Sequence, residues 1–130
     1  MKYLLIIVLV CTILSCTKSG ADKIPSDNNK PRITIIAPAR SEIYHHGDPL
    51  CFKGNVIDEN TLISVKLKLF KADDMGRPVV EYNYPVSERS LYIEQKTIIP
   101  ETLDGNCVLQ FEATDFGNNR AVSTLNFSSN

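Results

Sequence analysis

The chain has 130 residues, a formal net charge of −1 and 43% hydrophobic residues, which suits one globular domain and leaves no room for two. So even a charge balance gives no basic patch for nucleic acid and no drive toward a polyanion. Two histidines, no tryptophan and six glycines leave little material for catalytic, aromatic-cage or phosphate-cradling chemistry.

The chain opens on Lys2, and Tyr3 to Leu14 is then an almost unbroken apolar run. About twelve helical residues span roughly 18 Å, short of a bilayer core of about 30 Å. A run of this length after a basic start predicts a signal peptide over residues 1–15. The run ends in Ile13, Leu14, Ser15 and Cys16, and polar residues follow. These four residues resemble the lipobox of bacterial lipoproteins, an aliphatic residue and two mostly small ones ahead of the cysteine that is acylated. Leu14 departs from that pattern, being bulkier than usual. Cys11 fits it less well because Val10 precedes it. The resemblance implies lipidation at Cys16 and a membrane partner through the lipid anchor; several acyl chains hold a membrane firmly where one holds it marginally. An ordinary cleaved signal with an incidental cysteine is the alternative.

Residues 17–31 are rich in Ser, Asp, Asn, Lys and Pro. Such a stretch cannot bury enough apolar surface to offset ordering, so residues 16–31 are predicted to be the lipidated cysteine and a disordered tether. Its reach is on the order of 20 Å by coil statistics. Thr17 is not the aspartate that resembles an inner-membrane retention signal, and no acidic cluster follows Cys16. By resemblance this implies the periplasmic face of the outer membrane rather than the cell surface.

From Arg32 to the end the apolar pattern has period two. Leu50, Phe52, Gly54 and Val56 alternate with Cys51, Lys53 and Asn55; Ile63, Val65, Leu67 and Leu69 alternate with Ser64, Lys66 and Lys68; Leu109, Phe111 and Ala113 alternate with Gln110 and Glu112. Alternation of this kind marks half-buried antiparallel strands. Turn chemistry at Asp48, Asp73, Asp104 and Phe116 separates the runs. The expected strands are 32–37, 49–57, 62–70, 79–84, 91–99, 106–114 and 120–128. About seven short strands over residues 32–130 predict an all-β antiparallel sandwich, with a partly open barrel as the alternative.

Four pieces of this region carry a family resemblance: Ile33–Pro38, His46–Asp58, Leu62–Leu67 and Phe111–Asn119. The last, with Ala113, Asp115, Gly117 and Asn118 ahead of the final strand, is nearest to a signature. Together they resemble the immunoglobulin-like domains of bacterial envelope lipoproteins and adhesins. The resemblance implies an immunoglobulin-like sandwich and says little of function, since unrelated proteins share the fold.

Cys51 and Cys107 fall on the second and sixth expected strands, where antibody-type domains place their inter-sheet disulfide. Alternation opposes the bond: Cys107 shares the inward phase of Leu109 and Phe111, while Cys51 shares the outward phase of Lys53 and Asn55. Both states stay open, with two free thiols favoured. Oxygen-rich loops at Asp58, Glu59 and Asn60, and at Asp115, Asn118 and Asn119, suggest a calcium-type metal site. Tight turns want the same residues for their own hydrogen bonds. His46 is a further metal candidate with Asp48 or Glu42; His45 faces the other way on an extended segment. Lys66, Lys68 and Lys71 form a basic row expected to be a solvated face opposite Glu112.

No Gly-x-Ser-x-Gly, His-Glu-x-x-His or phosphate-binding glycine loop occurs. The expectation is therefore a non-enzymatic, lipid-tethered interaction module without a cofactor. Its partner would be another envelope protein or a glycan, and not nucleic acid. The alternative is a small periplasmic metal or ligand carrier using the Asp/Asn loops.

Overall fold

The computed structural model describes residues 27–130. The signal peptide 1–15, the lipidation site Cys16 and the tether up to residue 26 lie outside the described residues. What is described is all-β: β1 (Arg32–Ala37), β2 (Ile43–Tyr44), β3 (Pro49–Ile57), β4 (Leu62–Lys71), β5 (Val80–Pro85), β6 (Ser90–Ile98), β7 (Gly105–Asp115) and β8 (Arg120–Ser129). They form two sheets, one in the order β1-β3-β6 and one in the order β2-β8-β7-β4-β5. Among the described residues no helix is long and apolar enough to cross a membrane.

The period-two pattern turns directly into a sandwich core. Leu50, Phe52 and Val56 of β3 face Leu67, Leu69, Leu109 and Phe111 of β4 and β7 in one buried cluster. Burying a side chain of this size stabilises by about 1.5–3 kcal/mol relative to leaving it in water. At Gly54 the ring of Phe111 from the opposite sheet packs directly on the backbone. A Cβ there would lie 2.7 Å from Phe111 Cε1 and 3.2 Å from the Thr34 carbonyl, so the ring fits only because the side chain is absent.

Three features differ from the sequence expectation. An eighth strand, β2, pairs with β8 and does so in parallel, Ile43 opposite Ser128 and Tyr44 opposite Ser129. Two residues are too few for alternation to register. Second, β4 slips register between Leu62 and Ser64, with Leu62 opposite Asp115 and Ser64 opposite Thr114. This bulge inserts one extra residue and turns Ile63 outward, where it is 43% exposed, while Leu62 takes the buried place. Third, β1 slips register against β3 between Ile35 and Ala37, while Ile36 keeps the outward phase of Arg32 and Thr34 and is exposed.

The two cysteines are free thiols, Cys107 buried and Cys51 half-buried on the outer face. Cys51 Sγ lies 4.0 Å from Glu94 Oε1, and Cys107 donates to the Gly105 carbonyl at 3.4 Å. The basic row of β4 is half-buried rather than fully solvated, and Glu112 sits between Lys68 at 3.7 Å and Arg120 at 2.7 Å.

Candidate metal centre

The inward phase of β7 runs through Cys107, Leu109, Phe111 and Ala113, and its next member is Asp115. A carboxylate is thereby carried to the mouth of the core with no exposed surface. The β7–β8 turn closes over it. Asn118 adopts a left-handed φ of 64° and donates its backbone N–H to the Asp115 carbonyl at 3.1 Å. The Asn119 N–H donates to Asp115 Oδ1 at 2.7 Å, and Asn119 Nδ2 donates to Asp115 Oδ2 at 2.9 Å.

The β3–β4 loop meets this turn because the Phe116 N–H donates to the Thr61 carbonyl at 2.8 Å. The loop itself is anchored by the Asp58 N–H on the Arg89 carbonyl and the Leu62 N–H on the Glu88 carbonyl, both at 2.8 Å. Asp58 Oδ1 accepts from the Asn60 N–H at 2.7 Å. Its other oxygen, Oδ2, is shut off from solvent and has no hydrogen-bond partner. A buried acceptor left unpaired costs about 1–3 kcal/mol, and more when charged.

The third carboxylate comes from ahead of β1. Asp27 Oδ1 accepts from the Asn29 N–H at 3.0 Å, the same turn that Asp58 makes with Asn60. Asn119 Nδ2 donates to the Asp27 carbonyl at 3.1 Å and approaches Asp27 Oδ2 at 3.3 Å. One amide thus positions Asp27 and Asp115 together.

One carboxylate oxygen from each of Asp27, Asp58 and Asp115 lies within 4.8 Å of the other two. Two charges at that separation repel by roughly 3 kcal/mol at an effective dielectric of about 20. Among the described residues no Lys, Arg or His forms an ion pair with any of the three. Gly117 lets the turn close this tightly: a Cβ there would stand 2.9 Å from Asn119 Nδ2, 3.0 Å from Asp27 Oδ2 and 3.3 Å from Asp115 Oδ1. Calcium binds oxygens at 2.3–2.6 Å, so two ligands of one ion are at most about 5 Å apart. The donor set is all hard oxygen, which suits calcium or magnesium rather than a thiophilic metal. A cleft of about 360 Å³ lined by Asn29, Lys30, Arg32, Ile57, Asp58 and Glu59 adjoins the cluster and shares Asp58 with it.

The structure brings Asp58 and Asp115 together and leaves His46 elsewhere. His46 precedes β3 and Asp58 follows it, so a nine-residue strand of about 3.3 Å per residue separates them. His46 Nε2 lies 3.2 Å from the Leu103 carbonyl. Its proposed partners are engaged too: Asp48 Oδ2 accepts from the His45 N–H at 2.8 Å, and Glu42 Oε2 accepts from Tyr44 Oη at 2.7 Å. Asn118 shapes the turn through its backbone, while Asn119 makes the side-chain contacts. Asp27 escaped the sequence reading, which assigned it to the tether. The signal that could have found it is Asp27-Asn28-Asn29, which repeats the acid–x–amide spacing of Asp58-Glu59-Asn60.

No family model matches the chain, and no curated protein matches its sequence. Among solved structures the sandwich is similar to part of wild-type OgpA from Akkermansia muciniphila, with TM-score 0.56 and 14% identity over 78% of this chain and 28% of that one. It is also similar to the fibronectin(III)-like modules of Clostridium thermocellum CbhA, with TM-score 0.51 and 14% identity over 77% of this chain and 46% of that one. The chain therefore spans under a third of OgpA and under half of the CbhA modules. Identities this low speak to the fold: a two-sheet β-sandwich.

Proposed function

We propose that this chain is a non-enzymatic, cation-binding sandwich of immunoglobulin-like type, holding a hard divalent ion of the calcium class between Asp27, Asp58 and Asp115. The observation that carries the reading is the convergence of three carboxylate oxygens within 4.8 Å with, among the described residues, no cationic side chain paired to them. The orphaned Asp58 Oδ2 supports it. Three protein oxygens leave several of the six to eight calcium positions to solvent, which fits a weak site, on the order of 10⁻⁴–10⁻³ M as in extracellular modules. The reading places the metal or ligand carrier ahead of a pure interaction module. The immunoglobulin-like assignment draws support from the likeness to fibronectin(III)-like modules. The lipobox-like Ile13–Cys16 supports a lipid-anchored protein of the bacterial envelope.

A second reading keeps an envelope protein or a glycan as partner. It is favoured by Phe116, which is 81% exposed on the turn that carries the cluster, an apolar contact beside a charged one.

The test is a melting curve of the full chain with and without Ca²⁺, Mg²⁺ and Zn²⁺. Ca²⁺ should raise the melting temperature most, and Asp58→Asn should remove the rise. No Ca²⁺-dependent shift at millimolar concentration would overturn the cation reading.

A further inference from the structure

We propose that the cation acts as a clasp that fastens the segment ahead of β1 onto the pole of the sandwich, so that its docking is under calcium control. This rests on the cation reading of Asp27, Asp58 and Asp115. Asp58 and Asp115 belong to the sandwich, one on the β3–β4 loop and one at the end of β7. Asp27 belongs to neither sheet and precedes β1 by five residues.

The electrostatics change sign with the ion. Without it, Asp27 approaches two carboxylates within 4.8 Å, and that repulsion opposes docking. The opposing attractions include the bonds from Asn119 Nδ2 to Asp27 and the 2.9 Å bond from Asn29 Nδ2 to Glu59 Oε2. The bond to the Asp27 carbonyl contributes about 0.5–1.5 kcal/mol and those to carboxylates about 1.5–3 kcal/mol each, so attraction and the repulsion of the two pairs are of the same order and the ion decides the balance. With the ion bound, the same three carboxylates become mutual partners and the segment is held at both Asp27 and Pro31, the latter buried. One observation independent of the acidic cluster's mere existence points to a ligand at this place: Asp58 Oδ2 is solvent-shielded and unpaired. Gly117 lets the turn pass close by, since a Cβ there would press on Asn119 Nδ2 at 2.9 Å and Asp27 Oδ2 at 3.0 Å. The bipartite origin of the ligands makes occupancy and segment docking one equilibrium. Each must favour the other by the same factor.

The experiment is hydrogen exchange of the backbone amides of Asn28, Asn29 and Lys30 in the full chain in detergent, at zero and saturating Ca²⁺, beside calorimetric Ca²⁺ titration of wild type and Asp27→Asn. Ca²⁺ should slow exchange of these amides about tenfold. Asp27→Asn should weaken Ca²⁺ binding about tenfold or more and abolish the protection. Asp48→Asn, at the other pole, should change neither. Ca²⁺ binding of unchanged affinity in Asp27→Asn, or wild-type binding with no change in exchange at these amides, would overturn the clasp and leave the Asp58–Asp115 site standing. Wild type that binds no Ca²⁺ would overturn both. The wild-type exchange measurement decides the clasp even if the variant folds poorly.

Discussion

The two poles of the sandwich carry similar residue types and do different things with them. At the β2–β3 pole, Glu42, Asp48 and His46 each face a hydrogen-bond partner at 2.7 to 3.2 Å. At the β3–β4 pole, Asp27, Asp58 and Asp115 crowd within 4.8 Å and one buried oxygen has no partner. Abundance of carboxylates does not make a metal site. What distinguishes the poles is convergence: Asp48 and Glu42 each accept bonds within their own turn, whereas Asp27, Asp58 and Asp115 bring carboxylate oxygens to one place and leave Asp58 Oδ2 buried without a donor.

The largest expected effect lies between the poles and tests whether they are independent. Phe111→Ala should cost about 3–5 kcal/mol as a truncation of a fully buried ring, read as a shifted denaturant midpoint. Gly54→Ala should cost about 1–3 kcal/mol for the opposite reason, because its Cβ would collide with that ring. Both should leave the Ca²⁺ increment in stability unchanged below the melting transition. Loss of that increment in either variant would show that the carboxylate pole depends on inter-sheet packing.

Next in size is the ion itself. Ca²⁺ at about a hundred times its dissociation constant should stabilise the fold by roughly 2.7 kcal/mol. For a domain of this size that is on the order of 10 °C in melting temperature. His46→Ala should leave the shift intact, and Gly117→Ala should shrink it by intruding on the site. A Ca²⁺ response lost in His46→Ala and retained in Gly117→Ala would reverse the assignment of the poles.

The sequence made half of this comparison legible. Alternation located the long strands because one-sided burial repeats every second residue over nine or more positions, as in β3 and β7. The same alternation, continued one step past Ala113, would have placed Asp115 inside. The two oxygen-rich loops were legible as loops. Their union was not, because a loop list carries no distances, and His46 stood as a further candidate with Asp48 or Glu42 although those carboxylates accept bonds within their own turn. Leu62 and Ile63 were misphased because both are apolar and only the bulge decides which of them turns inward. Asp27 was lost for a compositional reason: a polar stretch reads as a tether whether or not its last residues dock.

A smaller effect belongs to the β2–β3 pole and runs with pH. Tyr44 packs edge-on against Phe127, ring centroids 5.6 Å apart. Burial first, and then the bond to Glu42, push its hydroxyl well above the usual tyrosine value. A raised folded value means the stabilisation is fully present below the unfolded value of about 10 and is lost as pH rises beyond it toward the folded value. Tyr44→Phe should therefore flatten the alkaline limb of a stability–pH curve while leaving the Ca²⁺ shift unchanged. An alkaline limb identical to wild type would show that Tyr44 is not its source. The other limb has its own reporter. Hydrogen bonding to Arg120 holds the Glu112 carboxyl below its ordinary value. The stabilisation it gives is present above the unfolded carboxylate value and disappears as pH falls through the folded one. Glu112→Gln should weaken that acid dependence slightly, the pair being partly solvated.

The smallest effect concerns the thiols, which lie on the strands nearest the histidine pole and could make it a soft-metal site if they were available. Burial pushes the Cys107 thiol up from its ordinary value, so it stays protonated and disfavours both metal ligation and disulfide exchange. Cys51 is half-buried on the outer face, and its strand partner Lys96 faces the same solvent. Cys51 therefore points outward from the β1-β3-β6 sheet, while Cys107 points into the core from the β2-β8-β7-β4-β5 sheet. A bridge between them would close a loop of about 56 residues and contribute roughly 4 kcal/mol, too much to pass unnoticed. Shifting β3 by one residue to allow it would drive Phe52 and Val56 into water at about 1.5–3 kcal/mol each, cancelling most of that gain. Thiol titration of the unreduced, denatured protein should thus find both Cys51 and Cys107 free. In the native state Cys51 should label quickly and Cys107 only at the rate of unfolding. Reduction should leave the melting temperature where it was. If neither thiol titrates and reduction lowers the melting temperature markedly, β3 must carry a bulge that turns Cys51 inward, and the packing of Phe52 against the opposite sheet would have to be redrawn.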